Sequence, residues 1–241
     1  DQIRGCRLRV ILLLMCLMVC PAQAEEIQSI DFIANSFVLF SALLVLMMSV
    51  PGIALFYGGL VRHKNVLSCI EQCLGVFCLA MILWFVCAYS LAFSSVSSTA
   101  WYFPLVGDLN KIMLHNISLE SSISNLAEYS FVIFQGAFCA ISACLIVGAT
   151  VERIKFSAML LAISLWSVLS YAPLAHQVWG GGFIDSVFEA YDFAGGTVVH
   201  LNAATAGLVG AFLVGKRSGL GKIAMPPHNL TLTYLGCGLL W

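Results

Sequence analysis

Charge is what this sequence has least of. Its 241 residues include 11 Lys and Arg and 12 Asp and Glu, so that 10% are charged against 61% hydrophobic. Too few polar side chains remain to solvate a globule of this length, which excludes a water-soluble domain and places the chain in a bilayer. The formal net charge of -1 gives no reason to expect nucleic acid as a partner. Cysteine in a wet loop is also missing. Of the ten cysteines, Cys6, Cys16 and Cys20 fall in the N-terminal leader, and Cys69, Cys73, Cys78, Cys87, Cys139, Cys144 and Cys237 lie within apolar runs. They read as small buried hydrophobes rather than a disulfide scaffold. No Cys/His cluster has zinc spacing, and no nucleophile-base pair or phosphate loop appears, so neither a metal, a cofactor nor an enzyme is expected.

What is present begins with a secretory pattern over residues 1–24. Arg4, Arg7 and Arg9 precede an apolar run from Val10 to Cys20 and a small-residue site, Ala22-Gln23-Ala24. An apolar core of this length is short of the ~20 helical residues a bilayer requires, so a signal peptide is expected in preference to a first transmembrane helix. Residues 25–31 would then form an extracytoplasmic N-terminus.

Five longer runs follow: Phe32 to Tyr57, Val66 to Phe93, Tyr129 to Val151, Phe156 to Trp179 and Phe193 to Gly215. Each is long and apolar enough to span a membrane. Basic residues fall in alternate loops (Arg62, Lys64, Arg153, Lys155, Lys216, Arg217, Lys222), and Lys111 alone marks the other side. Short loops rich in Lys and Arg stay cytoplasmic, which puts the mature N-terminus outside. A sixth run, from about Leu230 to Trp241, is expected as the truncated start of another helix, since about 12 residues give only ~18 Å of helix. Five spans leave the next segment entering from the cytoplasm, so a repeated five-helix unit would be inverted, as in many transporters.

Polar residues inside spans mark function or a specific partner, because each is costly there. Glu71 lies near the cytoplasmic end of its span and reads as structural. Asp192 opens the fifth span in Asp192-Phe193-Ala194-Gly195-Gly196-Thr197 and reads first as a helix cap, with direct cation binding as the alternative. Gly195 and Gly196 are expected to let another helix approach closely. His200 follows Asp192 by eight residues, ~12 Å deeper, near the midplane. It is either a neutral, hydrogen-bonded histidine or a pore-lining imidazole able to relay a proton. Phe134, Phe138 and Trp179 lie toward the outer ends of their spans, as an interfacial belt or as rings that bind a cation and plug a pore.

Several blocks together resemble the Amt/Mep/Rh ammonium transporters. They are Pro51-Gly52-Ile53-Ala54-Leu55-Phe56-Tyr57-Gly58-Gly59-Leu60-Val61-Arg62, Phe134-Gln135-Gly136-Ala137-Phe138, Glu152-Arg153-Ile154-Lys155-Phe156-Ser157, Ala175-His176-Gln177-Val178-Trp179-Gly180, and Asp192 through Ala203. The resemblance implies an all-α, polytopic membrane helix bundle: the first five-helix half of an inverted-repeat ammonium channel, with a truncated sixth helix. It further implies a homotrimer in the cell (inner or plasma) membrane, with a pore in each subunit. By matching position, Trp179 resembles the outer-site tryptophan that receives ammonium, Phe138 one of two gating phenylalanines, and His200 the first of paired pore histidines. Asp192 resembles the aspartate that organises the outer site. The tryptophan favours the Amt branch over the Rh proteins. The second phenylalanine, the outer-site serine and the second histidine would belong to sequence beyond Trp241.

The function implied is transmembrane transport of ammonium or ammonia, with a trimeric PII-type nitrogen-signalling protein as the expected cytoplasmic regulator. A sensor that binds ammonium without carrying it and a truncated product without transport activity are the alternatives. The sequons at Asn116 and Asn229 are short enough to arise by chance, and the second begins on the cytoplasmic side.

Overall fold

The computed structural model describes residues 30–95 and 100–241. The expected signal peptide and nearly all of the expected extracytoplasmic N-terminus lie outside the described residues. Among the described residues five helices are long and apolar enough to cross a membrane: α1 (Phe32–Leu60), α2 (His63–Phe93), α3 (Glu128–Thr150), α4 (Phe156–Phe188) and α5 (Gly196–Val214). A shorter helix, α6 (Leu230–Leu240), ends the chain's ordered elements. The protein is a multi-pass membrane protein, and its apolar runs became helices because hydrocarbon leaves backbone N-H and C=O groups only internal partners.

Polar side chains follow the same rule. Ser49, Ser142, Ser164 and Thr205 each donate to the carbonyl four residues back in their own helix, at 2.7 to 2.9 Å. Four spans contain a wider π-helical turn: Met48–Gly52, Trp84–Ala88, Ser167–Tyr171 and Gly196–Leu201. The first holds Pro51, which has no N-H to give. α4 is interrupted after Trp179, where Gly180, Gly181 and Gly182 precede its last short stretch, Phe183–Phe188.

The core lies where α3 crosses α2. Trp84 is fully buried and its Nε1 donates to the Val132 carbonyl at 2.9 Å. Gly136 makes room for this indole, since a β-carbon there would stand 2.7 Å from Trp84 Cδ1. α6 runs back along the second half of α1. Gly236 allows the contact: a β-carbon would collide with the Phe56 nitrogen and lie 2.7 Å from the Gly52 carbonyl oxygen. Asn229 starts α6 by accepting from the Leu232 N-H at 3.1 Å, so this sequon asparagine serves as a helix cap.

The long 94–127 segment carries a two-residue hairpin, β1 (Ser122–Ile123) paired with β2 (Leu126–Ala127). It is pinned to the start of α1 through Asp31 N to Asn125 O, 2.9 Å, and Ala127 N to Asn35 Oδ1, 3.2 Å. Lys111, the basic residue set apart by the charge count, donates to Glu128 at 2.5 Å, and Tyr89 donates to the same oxygen at 2.7 Å. Its charge is therefore neutralised inside the fold.

Two expectations change. Cys69, Cys73, Cys139 and Cys144 are buried, but Cys78 and Cys237 are exposed on the outside of the bundle. In a bilayer an outward thiol meets hydrocarbon, so exposure costs it little. Among the described residues no helix backbone closes on Gly195 or Gly196; a β-carbon there would meet only the Val199, Trp179 and Asp192 side chains. Gly195 has φ +81°, a conformation that favours glycine, and it forms the turn from which α5 starts at Gly196. The fifth helix therefore begins three residues later than the apolar run suggested.

Candidate functional site

A cavity of 780 Å³ opens between α3, the end of α4 and the turn before α5. Phe134, Phe138, Trp179 and Asp192 all line it. α3 contributes Phe131, Phe134, Gln135 and Phe138, a spacing of three, four and seven that puts them on one helix face. The Phe134 and Phe138 rings meet edge to face, 5.0 Å between centroids at 88°. Such packing fixes both rings.

The Trp179 indole is oriented by its own N-H, which donates to the Asp192 carbonyl at 2.8 Å. The Asp192 carboxylate faces the other way along the chain. Its Oδ2 accepts from the backbone N-H groups of Thr197 at 2.8 Å and Val198 at 3.0 Å, the free donors at the start of α5. Asp192 thus holds the helix with its side chain and the tryptophan with its backbone. Tyr191 and Phe193 flank it with rings stacked 6.0 Å apart, and both also line the cavity.

His200 is not in this cavity. It lines a second one, of 610 Å³, with Tyr57, Leu145, Ala149, Ala203 and Gly207 among its neighbours. Its side chain is exposed on the face of α5. The two cavities have no lining residue in common, but one face of α3 runs from the first to the second. The α3 face that carries Phe138 continues two turns on, ~10 Å, to Leu145, and the turn before α5 reaches the outer cavity at Gly195 while α5 carries His200 at the inner one. Phe138 is the last α3 residue along the outer cavity before Leu145 at the inner one.

Several supporting residues escaped sequence reasoning. Phe131, Tyr191 and Phe193 line the outer cavity; the helical spacing of Phe131 to Phe134 and Phe138 was a legible signal for the first. His176 is fully buried, with Nδ1 3.0 Å from the Ala92 carbonyl oxygen and Nε2 2.9 Å from that of Phe103. It joins α4 to the end of α2 and to the loop that carries Phe103, one turn before Trp179, and no sequence pattern announces that contact.

At the opposite end, Glu152 is a joint between loops. Its side chain is buried and its Oε1 accepts from Arg62 N at 3.0 Å, Arg62 Nε at 3.1 Å and Asn65 Nδ2 at 2.7 Å, while Oε2 lies 3.5 Å from an Arg217 guanidinium nitrogen. Burial opposes ionisation here, but the Asn65 and Arg62 hydrogen bonds outweigh it and hold the carboxyl below its usual value.

Residues 36–241 match the Ammonium Transporter Family. The chain belongs to that family. An "Ammonium transporter" of Aquifex aeolicus (strain VF5) is 41% identical over 208 residues, which cover 86% of this chain and 47% of that protein. The crystal structure of Saccharomyces cerevisiae Mep2 superposes with a TM-score of 0.78 at 32% identity, over 88% of this chain and 48% of that one. A structure described as "Sensor Amt Protein" superposes with a TM-score of 0.76 at 25% identity, over 86% of this chain and 51% of that one. The chain thus spans about half the length of the relatives it matches. In this chain the helix interruption after Trp179 and the capped start of α5 shape the outer cavity.

Proposed function

We propose that this chain supplies one half of a transmembrane path for ammonium or ammonia, in the cell membrane and with its N-terminal side extracytoplasmic. The observation that carries the reading is the common face of α3, which lines the first cavity as far as Phe138 and the second from Leu145, two turns further on. Ammonium would be drawn to the ring face of Trp179, where a cation-π contact is worth about 0.5–2 kcal/mol depending on desolvation. An ion does not pass a hydrocarbon midplane cheaply. A proton would therefore be given up near Phe138, with Phe134 fixing that ring, and neutral ammonia would pass His200, whose imidazole can hydrogen-bond it or relay the proton. Asp192 acts structurally, by capping α5 and fixing Trp179.

The exposed face around His200 requires a cover before a path is closed. A second, inverted five-helix unit supplied by sequence beyond Trp241 is the proposed cover, in a homotrimer regulated at its cytoplasmic face by a PII-type protein. Reconstitution of the full-length gene product in liposomes tests the transport reading. A transient current on an ammonium pulse and none on a potassium pulse is expected; equal responses to the two ions sink it.

A sensing role is the second reading, favoured by the likeness to the sensor Amt structure. Saturable ammonium binding to the same liposomes without any flux would replace transport by sensing.

A further inference from the structure

At the Lys- and Arg-rich end, two histidines from distant parts of the sequence meet. His63 opens the turn after α1 and His228 ends the loop before α6, and their ring centres lie 5.6 Å apart with the planes at 74°. Neither lines the two cavities above.

His228 is fixed in place. Its Nδ1 stands 3.1 Å from the Val61 carbonyl oxygen, and because a carbonyl only accepts, Nδ1 carries the proton of the neutral ring. Nε2 is then the basic nitrogen, with its lone pair in the ring plane. The backbone beside it is held as well: Asn229 N donates to the Gly59 carbonyl at 3.2 Å, and the Asn229 side chain caps α6. A ring that donates one N-H to a backbone carbonyl and keeps the other nitrogen basic is oriented as metal-ligating histidines are.

His63 stands on a turn that is held from both sides. Arg62 N and Nε donate to the buried Glu152 carboxylate at 3.0 and 3.1 Å, and Asn65 Nδ2 donates to the same oxygen at 2.7 Å. Asn65 N closes the turn on the Arg62 carbonyl at 2.8 Å. The His63 ring itself is exposed, so turning one of its nitrogens toward His228 costs no packing.

The separation suits one shared ion. An ion ~2.1 Å from an imidazole nitrogen lies ~3.2 Å from that ring's centre, so two rings on one ion have centres ~5.2 Å apart at the tetrahedral angle and ~6.4 Å apart in line. The observed 5.6 Å falls between these limits. Neighbouring charge does not forbid it. Arg62 is paired with Glu152, and Lys64 is exposed, where water and salt screen its repulsion.

We infer that His63 and His228 together bind a divalent transition ion of the Zn²⁺ or Ni²⁺ class, with water completing its shell. Such ions take imidazole nitrogen, whereas Mg²⁺ and Ca²⁺ take oxygen. The bound ion staples the turn after α1 to the start of α6, and the site does not depend on what the two cavities conduct.

The test is calorimetric titration with Zn²⁺ of the full-length protein in detergent, purified without a histidine tag, together with hydrogen exchange. One Zn²⁺ bound at this site per chain is expected, undisplaced by Mg²⁺. His63 is exposed, so His63→Gln keeps the fold, and it should weaken that binding by at least the ~tenfold that loss of a supporting group costs. His115→Gln, in the 94–127 segment, should leave it unchanged. Saturating Zn²⁺ should slow amide exchange over residues 59–65 and 228–233 severalfold in the wild type and not in His63→Gln. Absence of Zn²⁺ binding overturns the proposal, as does binding that His63→Gln leaves unaltered. Binding that slows exchange in neither segment overturns the staple.

Discussion

The indole N-H of Trp179 donates to the backbone carbonyl of Asp192 at 2.8 Å. The tryptophan face in the outer cavity is therefore aimed by a residue thirteen positions later, and that residue is itself fixed by the α5 cap. Trp179→Phe keeps a ring but removes the donor, leaving the carbonyl unpaired at a cost of about 1 kcal/mol. Trp179→Leu removes the π face as well. Apparent ammonium affinity measured by isotope uptake should fall in the order wild type, Trp179→Phe, Trp179→Leu, with the last step about two- to fivefold. Equal affinities for all three would show that the ring face binds nothing.

Asp192 gives a stability prediction that does not depend on transport. Asp192→Asn retains an acceptor for the Thr197 and Val198 N-H groups and should cost little. Asp192→Ala leaves both donors free and should cost about 0.5–2 kcal/mol. Thermal unfolding in detergent checks it, and an alanine variant as stable as wild type would contradict the cap.

Glu152 predicts a pH dependence. Its carboxyl is held below the ordinary value of 4.5 in the folded chain. Stability from this group is therefore fully present above about pH 4.5, and is lost as pH falls from there through the folded value, because the unfolded chain takes up the proton first. Glu152→Gln should lower stability at pH 7 by about 1–3 kcal/mol and flatten that acid limb. Unfolding curves at pH 7 and across pH 3–5 measure both, and an unchanged acid limb in the variant would assign the pH response elsewhere.

Contact between α1 and α6 turns on small residues. At Gly59 a β-carbon would lie 2.6 Å from the Asn229 oxygen and the Thr233 nitrogen, and Gly236 is as tightly placed against Phe56. Gly236→Leu should detach α6 from α1. Hydrogen exchange over residues 230–240 should then rise at least tenfold, a local loss of about 1.4 kcal/mol or more. Unaltered protection would mean that α6 is held by something other than α1.

The spans were readable because an apolar run of this length in a bilayer has one backbone solution, and the Asp192 cap was readable because a carboxylate before a helix has few other uses. Gly195 was misread. A glycine among small residues looks the same in sequence whether it serves helix contact or a positive φ. Glu152 joins positions 62, 65 and 217, and His176 reaches Ala92 and Phe103. Neither set of contacts has a periodicity, so they exist only once the loops are folded together. The grouping of Phe134, Phe138, Trp179 and Asp192 around one cavity, with His200 in another, likewise depends on how α3, α4 and α5 cross.

The central claim is that the two cavities are successive parts of one ammonium path past His200. The most direct measurement is the ratio of ammonium to potassium current in liposomes holding the full-length protein, for wild type, His200→Leu and the exposed-surface variant Phe212→Leu. The account predicts that the ratio falls by about tenfold or more in His200→Leu, equivalent to about 1.4 kcal/mol, and is unchanged in Phe212→Leu. A ratio in His200→Leu equal to wild type would contradict it.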